Sequence, residues 1–148
     1  MDIETSWRQA ADLLIASHDV WDSDELRAVF PDGLERAASA VVATVGSDQV
    51  TWVETRADLS SPKVEAAVFT PEHVSHLMLT AEGFGFEVRR LAVESLRATS
   101  VPVVHGEATP FRFTARLDAL EVSFPWDPAN LKQDDGIAGQ FARLRAAL

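Results

Sequence analysis

Two pairs of side chains in this sequence could take part in metal binding or acid–base chemistry. His73 and His76 stand three residues apart, a spacing that on a helix would present both imidazoles to a metal ion. The surrounding residues predict a strand instead, where positions three apart face opposite sides. His105 lies two residues before Glu107 in a glycine-containing loop, where the pair could exchange a proton, although a lone loop histidine is more often solvated. We therefore expect no metal site, no catalytic residue and no cofactor.

Motifs that support nucleophilic or nucleotide chemistry are missing from the chain. No serine lies in a Gly-x-Ser-x-Gly elbow, the turn that exposes the nucleophile of many hydrolases. The tripeptide Gly83-Phe84-Gly85 lacks the spacing and the strand-then-helix context of a dinucleotide-binding loop, and it is typical of a turn followed by a strand. The sequence favours a protein that is not an enzyme.

Arginines are concentrated on the later predicted strands, which should be neighbours. Their guanidinium groups could form a basic patch that binds an anionic group through paired hydrogen bonds. The patch could instead be partly covered by the acidic N-terminal helices. The alternative is a solvated polar face with cross-strand pairs to Glu87, Glu94 and Glu121. The candidate binding residues are Arg89, Arg90, Arg97, Arg112 and Arg116.

Tryptophans supply a second set of candidates. Trp7 and Trp52 fall on periodic apolar faces, which is typical of core residues. Trp21 and Trp126 lie outside such faces and close to acidic turns. We list Trp21 and Trp126 as candidate exposed binding residues, with structural packing as the alternative.

The N-terminal part of the chain has the period of helices. One stripe is formed by Ile3, Trp7, Ala11, Leu14, Ile15 and His18. A second helix should begin near Asp22, with Glu25 placed as in a capping box, and end at Pro31-Asp32-Gly33. A short helical turn, Leu34–Ala38, should lead into the sheet. We expect residues 1–38 to pack on the chain's own sheet, the alternative being a second copy.

From residue 39 the apolar period changes from 3.6 to 2, which indicates strands. A hairpin signal, Gly46-Ser47-Asp48, joins the first two. The seven candidates are Ser39–Val45, Gln49–Arg56, Lys63–Phe69, His73–Thr80, Phe84–Arg90, Leu96–Val104 and Phe111–Phe124.

The last candidate strand contains a change of phase. Its apolar residues occupy odd positions up to Leu117 and even positions from Leu120, so we expect a bulge or a break between them. A C-terminal helix then follows, Ile137 to Leu148, capped by Asp134-Asp135. The predicted fold class is α+β, with an antiparallel seven-stranded curved sheet or partly open barrel, a C-terminal helix and an N-terminal helical segment. We expect one domain, 1–148, with the barrel-like core at 39–148.

Charge and composition limit the partners. The net charge is −10, and residues 1–35, with nine acids and two bases, carry −7 of it. Phosphate backbones and anionic lipids repel such a chain, so we expect no nucleic acid and no membrane partner. The absence of cysteine and of a basic leader before an apolar stretch fits a cytoplasmic protein, and the excess of arginine over lysine suggests a bacterial source.

The stretch VFTPEHVSHLMLTAEGFGFEVRRLAVESLRATSV resembles the middle of a bacterial pleckstrin-homology-like (PH-like) domain. Seven strands divided four and three, followed by one helix, resemble that fold over residues 39–148. The resemblance implies a binding module whose C-terminal helix plugs one end of the barrel. Members that bind phosphoinositides have a basic loop between their first two strands, whereas Gly46-Ser47-Asp48-Gln49 contains no base.

Three functional hypotheses follow. The first is a non-enzymatic binding or adaptor module that acts through protein–protein contacts. The second is a carrier of a small apolar ligand, or an enzyme, with a cavity inside a curved sheet. The third is an acidic inhibitor or immunity-type protein that covers a basic active site. The oligomeric state stays open between monomer and homodimer.

Overall fold

The computed structural model describes residues 2–102, 110–118, 120–127 and 134–148. It divides the chain into two compact units, Met1–Arg90 and Leu91–Leu148. The helices are α1 (Ile3–Ser17), α2 (Asp24–Val29), α3 (Gly33–Thr44) and α4 (Asp134–Ala146), with short 3-10 helices at Asp19–Asp22 and Ser47–Gln49. The strands are β1 (Trp52–Asp58), β2 (Lys63–Phe69), β3 (His73–Thr80), β4 (Gly83–Arg90), β5 (Val93–Ser100), β6 (Arg112–Leu117) and β7 (Leu120–Phe124).

Side-chain caps fix where the first two helices begin. The Asp2 carboxylate accepts a 2.7 Å hydrogen bond from the backbone N–H of Thr5 at the start of α1. At α2 the capping residue is Ser23, whose hydroxyl accepts from the N–H of Leu26 at 3.1 Å. Our assignment of this cap to Asp22 was wrong, because Asp22 belongs to the preceding 3-10 helix.

Helix α3 corrects two predictions. It runs from Gly33 through Thr44, so the expected short turn at Leu34–Ala38 and the expected strand at Ser39–Val45 are one continuous helix. The reason is its alanine content, which favours helix, together with a buried face made by Ala37, Ala38 and Val41 at helical spacing.

Gly46 ends α3 with a positive φ of 82°. Its N–H donates to the carbonyl of Val41 at 2.9 Å, a common way to close a helix C-terminus. The 3-10 helix Ser47–Gln49 follows, so the hairpin expected at Gly46-Ser47-Asp48 was also wrong.

The first unit contains an antiparallel sheet in the order β1-β2-β3-β4. One face of this sheet packs against the helices through Val53 of β1, Val64 and Ala66 of β2, and Leu77 and Leu79 of β3. The helices contribute Ala10, Ala11, Leu14, Trp21, Leu26, Ala37, Ala38 and Val41 to the same core. The prediction that the N-terminal helices pack on the chain's own sheet is therefore confirmed.

The second unit contains an antiparallel sheet in the order β5-β6-β7, and α4 contacts β5 and β6. Phe113 stacks on Phe124 with ring centroids 5.0 Å apart, and Phe141 of α4 meets Phe113 edge-on at 5.3 Å. The predicted strand Phe111–Phe124 is broken where its apolar residues change from odd to even positions. There Leu117 of β6 pairs with Leu120 of β7, and Asp118 has a left-handed φ of 46°. The predicted irregularity at Leu117–Leu120 is thus confirmed.

The α+β class, the antiparallel strands and the terminal helices are as predicted. The strands form two separate sheets of four and three, and neither sheet closes on itself. The count of seven strands is reached differently, because residues 39–44 are helical and the predicted strand Phe111–Phe124 forms two strands. The side chains of Asp134 and Asp135 and residues 103–104 lie outside the described part of the chain.

Candidate functional site

The five candidate arginines do not lie on one run of neighbouring strands. Arg89 and Arg90 end β4 in the first unit, whereas the other three lie on β5 and β6 in the second. Arg97, Arg112 and Arg116 share the exposed face of that second sheet. Arg116 forms a 2.9 Å ion pair with Glu94 across the strands, and Glu121 is its register partner on β7. This arrangement fits the solvated polar face better than an anion-binding patch.

Trp21 is buried, with 1% of its surface exposed, so it is not an exposed binding residue and the alternative of structural packing applies to it. The 3-10 helix Asp19–Asp22 turns its indole toward the sheet, where Nε1 donates a 3.0 Å hydrogen bond to the hydroxyl of Thr55. Trp126 follows β7 and is half-buried. A 3-10 turn interrupts helical periodicity, which is why the pattern of apolar residues misplaced Trp21.

The structure describes His73 and His76 but not His105. His73 and His76 fall on opposite faces of β3, as predicted for a strand. Among the described residues, no group of three or more His, Asp or Glu side chains is arranged to hold a metal ion. His105 and Glu107 lie outside the described residues.

Glu65 is the centre of an ion cluster on the other face of the first sheet. Its buried carboxylate lies 2.7 Å from Nη2 of Arg56, 2.5 Å from Nζ of Lys63 and 3.5 Å from Nε2 of His76. Burial raises the pKa of Glu65, but hydrogen bonds and charges from Lys63 and Arg56 outweigh it, so the pKa lies below its ordinary value. A carboxylate held ionised in this way is suited to stabilising the fold rather than to taking up a proton.

A concave surface lies among the helices of the first unit. It has a volume of about 650 Å³ and is open to solvent. We call it the helical groove. Its mainly apolar lining includes Ile3, Trp7, Trp21, Leu26, Phe30 and Leu34, and charged residues at its edge are Glu4, Arg27 and Glu35. Trp21 thus contributes to the wall of a concave surface although its side chain is buried.

Tight local turns build the helical groove. The N–H of Phe30 donates to the carbonyl of Leu26 at the end of α2, and the N–H of Gly33 donates to the carbonyl of Phe30 at 3.0 Å. A side chain at Gly33 would place its Cβ 3.1 Å from both Leu79 and Phe30, so glycine allows α3 to begin close against β3. These turns bring α1, α2 and α3 around one opening.

The charge around the helical groove is negative. Residues 2–44 contain nine acids and three bases. Each base is paired locally: Arg8 with Glu4 at 3.1 Å, Arg27 with Asp24 at 2.6 Å, and Arg36 with Asp32 at 2.8 Å. Glu25 and Glu35 have no ion pair among the described residues. The helical face therefore presents excess negative charge.

Comparison with known proteins gives no match to a protein-family model, to a curated protein or to a solved structure. Within the described ranges, no helix is long and apolar enough to cross a membrane.

The sequence pattern singled out Trp7 and Trp21, but it did not predict that they line one groove together with Phe30 and Leu34. The apolar face of α2, with Leu26 and Phe30, was visible as a signal. The groove itself depends on the angle set by the turns around Ser23 and Gly33, which periodicity does not encode.

Proposed function

We propose that this chain is a non-enzymatic binding module whose helical groove receives an apolar, basic segment of a partner protein. The observation that carries the proposal is the groove itself, about 650 Å³ in volume and lined by Trp7, Phe30 and Leu34. Aromatic and aliphatic side chains around an open groove suit the apolar face of a helix from another protein.

The negative charge around the helical groove favours a partner segment that carries basic residues. Glu4 and Glu35 lie at the edge of the helical groove, and the three arginines nearby are neutralised by their own acidic neighbours. A segment that places apolar residues in the groove and lysine or arginine beside them would meet complementary charge. An acidic segment or a nucleic acid would be repelled.

The strand layout supports a PH-like binding module. Four strands, three strands and a C-terminal helix follow one another in that order. The loop between the first two strands is Leu59-Ser60-Ser61-Pro62, which contains no base, and the carboxylate of Asp58 accepts hydrogen bonds from Ser60 and Ser61 there. We therefore do not include phosphoinositide binding in the proposal.

The packed core weakens the carrier hypothesis for the first unit. Val64, Ala66, Val68 and Leu77, on the face of the sheet covered by helices, are fully inaccessible to solvent. A carrier with a cavity under its curved sheet would leave such side chains lining open space. The inhibitor hypothesis shares the acidic surface with our proposal and differs in requiring a basic active site as the target.

The test is selection of peptides from a displayed random library, followed by affinity measurement on variants. We expect the selected peptides to combine apolar and basic residues. Ile3 is 79% exposed at the groove, so Ile3→Asp should weaken binding about tenfold without unfolding the protein. Val29→Asp is the matched control, because Val29 is exposed on α2 and does not line the groove.

Charge reversal gives a second comparison. Glu35→Lys at the groove should weaken binding, whereas Glu25→Lys, with the same change in net charge away from the lining, should have a smaller effect. Equal effects of Ile3→Asp and Val29→Asp, or selected peptides without basic residues, would overturn the proposal. Selective binding of a small apolar dye with no peptide selected would favour the carrier.

A further inference from the structure

Strand β4 has a free edge within the described part of the chain. It pairs with β3, and no second strand is hydrogen-bonded to it. The two-residue turn Ala81-Glu82 closes on the pair Thr80–Gly83, which in such a hairpin exchanges backbone hydrogen bonds. Bonding alternates along a strand, so the backbone groups that point away from β3 belong to Phe84, Phe86, Val88 and Arg90.

This edge is accessible and regular. Gly83, Gly85 and residues 87–90 are exposed, and Val88 is 42% exposed. The register with β3 is unbroken over all eight residues, and the strand contains neither proline nor a bulge. A long, regular, uncovered edge strand is a ready template for another strand.

The sequence of the edge is complementary to itself. Antiparallel pairing of two copies centred on Phe86 sets Phe86 against Phe86, Phe84 against Val88, and Glu82 against Arg90. All of these residues are even-numbered, so the backbone groups that point away from β3 in each copy face those of the other. The three apolar pairs alone would supply about six backbone hydrogen bonds.

Charge favours the register centred on Phe86 over the register centred on the next residue, Glu87. Glu82 and Arg90 are both exposed and have no ion pair among the described residues, so each can pair with the other in the second copy. A shift of the centre to Glu87 would place two Glu87 carboxylates directly opposite each other, which is unfavourable.

The face of β4 beside Gly83 and Gly85 also has room for a second copy in this register. A depression of about 420 Å³ lies beside Gly83 and Gly85, and a Cβ added to either glycine would meet no atom within 4 Å. In the Phe86-centred register, Arg89 and Glu87 of the second copy stand opposite these two glycines. Arg89 and Glu87 form a 2.9 Å ion pair with each other, and this pair would occupy the depression.

We propose that β4 is a homodimer interface, in which two copies join edge to edge around Phe86 to make one continuous eight-stranded sheet. The partner is a second copy of this chain, and the proposal is independent of the helical groove. A single strand pair buries less than the roughly 1,600 Å² of a standard interface, so the expected dissociation constant is micromolar or weaker.

Sedimentation of the full chain over a wide concentration range tests the interface. We expect a monomer–dimer equilibrium for the wild type. Val88→Pro removes an N–H that points away from β3, so it should give a monomer that keeps its far-UV circular dichroism. Val88→Thr keeps the N–H and is the matched control, which should still dimerise.

A charge exchange tests the register without touching the backbone. Arg90→Glu sets two acids against each other and should weaken the dimer about tenfold. Adding Glu82→Arg restores opposite charges and should restore the affinity. A wild type that is monomeric at about 1 mM, or a dimer indifferent to both Val88→Pro and Arg90→Glu, would overturn the proposal.

Discussion

The indole Nε1 of Trp21 and the hydroxyl of Thr55 are joined by a 3.0 Å hydrogen bond in the core of the first unit. The Thr55 hydroxyl is also 2.7 Å from that of Ser17, which donates to the carbonyl of Leu14 at 2.6 Å. Thr55 therefore accepts from Trp21 and donates to Ser17. One threonine on β1 links the end of α1 and the following 3-10 helix to the sheet.

Replacing this threonine should destabilise the protein through unsatisfied polar groups. Thr55→Val keeps the shape but removes the acceptor of the buried indole N–H, and we expect a loss of about 1–3 kcal/mol in the free energy of unfolding. Urea unfolding followed by tryptophan fluorescence measures it. Thr99→Val, at an exposed position of β5, is the control and should change stability by less than about 0.5 kcal/mol. Equal effects of the two changes would contradict the role of Thr55.

The Glu65 cluster should make stability depend on acid pH. Glu65→Gln leaves Arg56 and Lys63 without their shared anion, and we expect a loss of about 1–3 kcal/mol near neutral pH. The pKa of Glu65 is lower in the folded state, so its contribution is complete above its ordinary value of 4.5 and is lost as pH falls through the folded pKa.

The measurement is urea unfolding of wild type and Glu65→Gln between about pH 7 and pH 3, where the difference between them should shrink toward the acid end. Glu4→Gln breaks the exposed pair with Arg8 and should cost at most about 1 kcal/mol. A wild-type advantage that is constant across this range would show that the carboxylate charge of Glu65 does not stabilise the fold.

Two glycines should respond to the same substitution with opposite signs. Gly46→Ala puts a side chain at a φ of 82° and a Cβ 3.0 Å from the Asp48 carboxylate, so it should destabilise by roughly 1–2 kcal/mol. Gly139→Ala lies on the exposed side of α4 with nothing within 4 Å, and it should stabilise by up to about 1 kcal/mol. Thermal unfolding of both variants tests the pair, and a stabilising Gly46→Ala would refute the backbone argument.

Phe141 should anchor α4 to the second sheet. Its ring meets those of Phe111 and Phe113 at 5.5 and 5.3 Å, but the residue is only half-buried. Phe141→Ala should therefore cost about 2–3 kcal/mol, less than the roughly 3–5 expected for a fully buried ring. Arg145→Ala on the exposed face of the same helix is the control. A loss below about 1 kcal/mol in a urea melt would show that α4 is not held by this ring.

Periodicity predicted the elements whose two faces differ clearly. On β3 the buried residues Ser75, Leu77 and Leu79 alternate with half-buried ones, and the odd-to-even change around Leu117 and Leu120 correctly indicated a break. The strand predicted at Ser39–Val45 is wrong because Val41 and Val42 favour strands locally, whereas the burial of Ala37 and Ala38 at helical spacing stabilises the helix.

The candidate sites were harder to predict because they depend on tertiary angles. Nothing in the spacing of Trp7 and Phe30 states that both line one groove, since that follows from the turns at Ser23 and Gly33. Arg90 and Arg97 likewise lie in different sheets, because β4 pairs with β3 and β5 pairs with β6 instead of β4 pairing with β5.

The strand order has a consequence for folding kinetics. In both sheets every strand pairs only with its neighbour in the chain. The loops that must close are short in the first sheet, so their entropic cost is small and the hairpins can form one after another. The longer-range event in that unit is the docking of α1 on β1, which brings Ser17 to Thr55. We therefore expect the sheet to form before the N-terminal helix docks, with the Trp21–Thr55 contact among the last to be made.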